Sequence, residues 1–227
     1  TDVATLKTLT DTNSNNAYSI TISDSTVSAL DLLTIDGITS VAINASSIST
    51  ITGAAADIKN VYASSGITGL GNAAINVSGS TASVSDLNIL DEKTTGVITA
   101  TVTETDIATL KNLANANSNN AYTINVSGST AAATDLNILD SKTTVAINAS
   151  SISTITGAAA DVKTVYESTG ITTETTSTTW QQIGSNIDAP SGDSAGFSLA
   201  LSNDGTVVAI GSPYNDDNGK DSGQVRI

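Results

Sequence analysis

A chain of 227 residues with 22 acidic and 8 basic side chains carries a formal net charge of −14, which argues against nucleic acid and anionic membranes as partners. It has no Cys and no His, so a disulfide framework, a thiolate nucleophile, a zinc–thiolate site and the usual imidazole base are all ruled out. Aromatic residues make up only 3%, so a core must be built from Ile, Val, Leu and Ala, and the length is sufficient for one.

In chain order, TDVATLKTL at 1–9 reappears as TDIATLKNL at 105–113. The later copy follows a strand-like GVITATVTE at 96–104 that the earlier one lacks, and QVRI at 224–227 stops in mid-run. With no Met and no signal-peptide pattern, the expectation is a segment of a longer or processed chain. No apolar run approaches the ~18 residues a membrane-spanning helix needs.

The duplication is regular. VAINASSISTITGAAADIKNVY at 41–62 returns at 145–166, changed only at Ile58/Val162 and Asn60/Thr164, and the same 104-residue offset relates the two NSNNAY segments. Inside each copy, short β-branched runs alternate with Ser/Thr/Gly turns and helical runs. The strand runs are SITIS (19–23), VAINA (41–45), AINVS (74–78), VITATV (97–102), TINVS (123–127) and VAINA (145–149). The helical runs are TLKTL (5–9), DLLTI (31–35), DIKNVY (57–62), DLNIL (86–90), DIATLKNL (106–113), DLNIL (135–139) and DVKTVY (161–166). Asp2, Asp31, Asp57, Asp86, Asp106, Asp135 and Asp161 mark them at steps of 29, 26, 29, 20, 29 and 26, and four consecutive steps return the 104-residue period.

Val41, Ile43 and Ala45 alternate with Ala42 and Asn44 at the strand period, whereas Leu87 with Leu90 or Val162 with Val165 lie on one helix face. Thr52, Ser83, Thr103 and Thr156 precede helical runs and can cap them, and Gly66 and Gly170 stand where a helix C-terminal glycine is expected. A strand–turn–helix unit of 20–29 residues cannot bury its apolar face alone. The fold class expected is therefore α/β: a right-handed parallel β/α solenoid over residues 1–170, with a 104-residue super-repeat. Its inner layer would set Ile43, Ile75, Ile124 and Ile147 against Ile58, Leu87, Leu136 and Val162. The alternative is a mostly β solenoid in which ISTIT (48–52, 152–156) adds a second strand per turn.

Residues 171–179, ITTETTSTT, are polar and aperiodic and read as a linker. After it, GFSLALS (196–202) and TVVAIGSP (206–213) flank Asn203, Asp204 and Gly205, a hairpin signal that predicts an antiparallel β segment over 180–227. WQQIG (180–184), GFSLA (196–200), DG (204–205), AIGSP (209–213) and GQV (223–225) together resemble one blade of an FG-GAP, integrin-type β-propeller. The preceding array is similar to Ser/Thr-rich tandem repeats of very long bacterial surface proteins, as found in cyanobacteria. One blade cannot close a propeller, so the resemblance implies further chain in the natural protein.

FG-GAP blades often hold calcium in an Asp-rich loop, and this implies Asp216, Asp217, Asn218 and Asp221 as metal ligands here. The register departs from that pattern, because Tyr214 stands where the first carboxylate belongs. A solvated acidic turn is the competing reading. Asn44, Asn76, Asn125 and Asn148 recur after the strand isoleucine. They can stack inward as a structural ladder, or serve as Asn-x-Ser glycan acceptors with Ser46, Ser78, Ser127 and Ser150. The Asp column reads as helix N-terminal charge, with cation collection along one face as the alternative.

No catalytic constellation emerges, and an enzyme is not expected. The functional expectation is an extracellular, cell-surface structural protein that acts as a spacer or self-assembling filament, its partners being other copies or neighbouring parts of a longer chain. The rival expectations are a calcium-dependent adhesin and a virion tail-fibre-like protein.

Overall fold

The structure, a computed structural model, describes residues 1–12, 15–173, 192–202 and 207–226. The chain divides into two compact units, Thr1–Thr176 and Ser177–Ile227.

In the first unit, helices α1 (Val3–Leu6), α2 (Ala29–Asp36), α3 (Ala55–Ala63), α4 (Val84–Asp91), α5 (Ile107–Leu110), α6 (Ala133–Asp140) and α7 (Ala159–Glu167) alternate with short strands. These are β1 (Thr26–Ser28), β2 (Ile43–Asn44), β3 (Thr50–Gly53), β4 (Ile67–Thr68), β5 (Ala74–Val77), β6 (Ile98–Thr101), β7 (Ala121–Thr123), β8 (Thr130–Ala132), β9 (Ile147–Ala149), β10 (Thr154–Thr156) and β11 (Ile171–Thr173). All pairings among the described residues of this unit are parallel. A five-stranded sheet runs β1-β3-β5-β6-β7, and three two-stranded sheets pair β2 with β4, β8 with β10 and β9 with β11. The protein is thus mixed α/β, with mostly parallel sheets and short helices.

Paired residues sit a near-constant distance apart along the chain. Thr26 faces Thr50 and Thr50 faces Ala74, 24 residues on each time; Ile75 faces Ile98 after 23 and Thr99 faces Ala121 after 22. Parallel strands need a crossover of a dozen or more residues. That step accommodates one helix, of eight or nine residues in α2, α3 and α4 and of four in α5.

Ile43 and Ala45 are buried and Asn44 between them is exposed, as the strand period requires. In α2 the buried residues Ala29, Leu32 and Ile35 lie three apart on one helix face. The aliphatic residues join into one buried cluster from Val3 to Ile171 that includes Ile43, Ile75, Ile124, Ile147, Ile58, Leu87 and Leu136; Val162 packs against it half-buried.

Several expectations are corrected. ISTIT does supply strands, Thr50–Gly53 and Thr154–Thr156, but these stand beside the helices instead of replacing them. Thr52 and Thr156 therefore lie in strands, and α3 and α7 have Ala54 and Ala158 at their N-caps, without a side-chain cap. Thr103 yields its expected role to Asp106, whereas Ser83 does cap α4. Ile171–Thr173, expected to open the linker, pairs with Ile147–Ala149; residues 174–179 lie outside the described residues.

Gly66 and Gly170 do not terminate helices, since the C-caps are Ser64 and Ser168. A Cβ at either glycine would lie 1.9 Å from a carboxylate oxygen, of Asp36 or of Asp140. Those two aspartates accept hydrogen bonds from Ser64 and Ser168, at 2.6 and 2.8 Å. Glycine is needed so that the last residue of one helix can reach the turn after the next.

In the second unit, β12 (Ser198–Leu201), β13 (Val208–Ser212) and β14 (Gln224–Arg226) form an antiparallel sheet in sequence order. The turn residues 203–205 and the segment 180–184 lie outside the described residues.

Candidate functional site

The four recurring asparagines point outward. Asn44, Asn76, Asn125 and Asn148 are all exposed, because each follows an isoleucine that takes the buried side of its strand. The inward ladder is therefore corrected to an outward one, and it is short. Asn148 Nδ2 donates to Asn125 Oδ1 at 3.0 Å, but Asn44 is paired with Thr21 and Thr68, and Asn76 with Thr52 and Thr99. Asn44 Oδ1 and Asn148 Oδ1 also accept from the backbone N–H of Ser46 and Ser150, closing Asx turns at the strand ends.

The Asp column resolves into distinct roles. Asp2 and Asp106 are N-caps that accept from the N–H of Thr5 and Thr109, each at 2.8 Å. Asp31, Asp86 and Asp135 sit in a first helical turn and take an ammonium from the preceding lysine-bearing helix: Lys7–Asp31 at 2.5 Å, Lys111–Asp135 at 2.8 Å, and Lys59–Asp86. The lysine hydrogen bond holds the Asp31 and Asp86 carboxyls below their ordinary value of 3.8, partly opposed by burial. A depressed folded-state pKa gives stability that is present above pH 3.8 and lost as the pH falls through the folded value. Replacing Lys59 with Met should cost up to ~1 kcal/mol at pH 7 and much less at pH 2, measured by urea unfolding.

A buried polar node went unforeseen in the sequence. Asn120 and Tyr122 are fully buried and Asp91 is nearly so. Asn120 Nδ2 donates to Asp91 Oδ1 at 2.6 Å and to the Tyr122 hydroxyl at 2.8 Å, and Asn120 Oδ1 accepts from the Ile98 N–H at 3.0 Å. Asp91 Oδ2 accepts from the Ala116 N–H at 3.0 Å. Burial, and then the Asp91 charge, push the Tyr122 phenol well above its ordinary range, so it stays protonated. With every named group bonded inside the core, the node is built to tie α4 to β7, not to meet a ligand. The available signal was the placement of a scarce tyrosine at the end of NSNNAY.

The acidic turn is organised by a residue outside the expected ligand set. Asn215 is fully buried; its Nδ2 donates to Asp193 Oδ2 at 2.8 Å and its Oδ1 accepts from the Asp217 N–H at 3.2 Å. Asp216, Asp217, Asn218 and Asp221 are exposed, and Asp216 Oδ1 accepts from the Asp221 N–H at 2.7 Å. Among the described residues no three acidic side chains are grouped to hold a metal ion. The four expected ligands do not fit a calcium ion, which takes 6–8 converging oxygens.

Fold and side chains together define a mixed α/β protein whose parallel strands carry polar outer faces. No family model, curated protein or solved structure matches the chain. Among the described residues, no helix is long and apolar enough to cross a membrane.

Proposed function

We propose that this is a structural protein of the cell exterior, in which residues 1–170 form a right-handed β/α solenoid acting as a spacer or filament element. The observation that carries this reading is the 22–24-residue step between parallel strand partners, with one aliphatic cluster continuous across the steps. Units that pair only with their neighbours add length at constant cross-section, which suits a spacer. The inter-helix Lys–Asp pairs and the Asp36 and Asp140 contacts support the same reading, because each joins one helix to the segment that follows. The high acidic charge and the absence of cysteine are compatible with an exterior scaffold.

Negative-stain images with sedimentation over a wide concentration range test the proposal. Rods at low concentration support the spacer, and fibres that grow with concentration support the filament. A stable trimer would favour the tail-fibre alternative. Compact isometric particles at every concentration would overturn the solenoid reading.

A further inference from the structure

The two copies of the near-identical 22-residue segment differ in what covers them. In the first copy, Ile51 and Ile58 are fully buried and Ala55 nearly so. Their counterparts Ile155 and Val162 are half-buried, and Ala159 is exposed. Tyr62 is half-buried, with its hydroxyl donating to the Leu70 carbonyl at 3.4 Å, whereas Tyr166 is 67% exposed. Since the sequences match, the contrast comes from the segment lying on top. In the first copy that segment contains β5 and α4, which pair with β3 and pack on α3, whereas the pairing of β4 with β2 is matched in the second copy by that of β11 with β9.

The charges tell the same story. Lys59 reaches across to Asp86 in the first turn of α4, but Lys163 folds back onto Glu167 of its own helix, at 2.6 Å, with both side chains well exposed. Position 63, the counterpart of Glu167, is alanine. The second copy thus keeps the aliphatic face, the lysine and the parallel strand registers of the first, with no described strand beyond β10 or β11.

We infer that the face formed by β10 and α7 is a docking surface for an incoming polypeptide of defined chemistry. The partner adds a parallel strand beside Thr154–Thr156, lays a helix on α7, and places an aspartate of that helix's first turn against Lys163. Residues 74–91 are the template, because they do this for the first copy. The inference rests on the layered reading proposed above. An exposed apolar surface rimmed by polar groups is the usual mark of an interaction site, and strand addition supplies directional main-chain bonds.

The test uses the full chain and a labelled synthetic peptide of residues 72–93, with binding followed by fluorescence anisotropy and amide exchange measured in parallel. Saturable binding is expected, weakened about tenfold by Val162→Asp. Lys163→Glu, an exposed substitution that leaves the core intact, should weaken it several-fold, with recovery when the peptide carries Asp86→Lys. No saturable binding, or binding indifferent to both substitutions, overturns the inference. It also fails if the amides of 154–156 are already as protected as those of 50–53 in the free chain, since the face would then be covered by the chain itself. Rapid exchange at 50–53 would instead refute the layered reading on which it stands.

Discussion

Replacing Gly96 by alanine is expected to destabilise the Thr1–Thr176 unit by about 3 kcal/mol, the upper part of the usual range for overpacking. A Cβ at Gly96 would lie 2.6 Å from the Ala73 carbonyl oxygen, 2.7 Å from its carbon and 2.8 Å from the Ala74 nitrogen. These are backbone atoms at the entrance to β5, so no side-chain rotation can relieve the contact. The approach is held from both sides: the buried Thr94 hydroxyl donates to the Ala73 carbonyl at 2.6 Å and accepts from the Gly96 N–H at 2.9 Å. Moving the strand away would break both bonds and the β5–β6 register. Gly71 is the control, since nothing lies within 4 Å of a Cβ there and its φ is not left-handed. Alanine at Gly71 should be neutral or stabilising by up to ~1 kcal/mol through the unfolded chain. In thermal unfolding the Gly96 variant should melt roughly 6–12 °C lower than the parent. Equal midpoints for the two variants would refute this account.

Such a contact shows where sequence reading reached and where it stopped. The alternation at 41–45 and the three-residue spacing of Leu87 and Leu90 were legible, because burial of Ile43, Ala45, Leu87 and Leu90 follows directly from backbone period. The strands at Thr26–Ser28 and Thr130–Ala132 were not. They are three residues long and run straight into a helix, too short for an alternating run to mark them. The step of the fold was also hidden. Spacings between aspartates mix N-caps such as Asp106 with first-turn residues such as Asp86, so they scatter from 20 to 29 while the paired strands keep 22 to 24. The outward direction of the asparagines was contained in the same alternation that buries the isoleucines. The Asp91–Asn120 contact spans 29 residues, and a separation of that kind leaves no periodic trace.

That buried contact carries the other large expected effect. Asn120→Ala should cost about 3–5 kcal/mol, since it leaves two buried groups, one of them charged, short of a partner at about 1–3 kcal/mol or more each. The truncation strips the Asp91 carboxylate of a 2.6 Å bond and leaves the Ile98 N–H without its acceptor, both inside the core. Tyr122→Phe removes only the hydroxyl that accepts from Asn120, so about 1 kcal/mol is expected. Asn120→Asp separates electrostatics from volume, because it is nearly isosteric but sets a second carboxyl against Asp91. Two carboxylates that close cannot both ionise, so one folded-state pKa rises above its unfolded value. The proton that the folded state then retains is lost on unfolding, and the variant grows less stable as the pH rises from about 4 toward neutrality. The Lys–Asp pairs change in the opposite sense, gaining stability as the pH rises through the acid range. Urea unfolding at pH 4 and pH 7 should therefore show the Asn120→Asp penalty shrinking in acid while that of Asn120→Ala stays nearly constant. If both variants respond alike to pH, the carboxylate of Asp91 does not face residue 120 in solution.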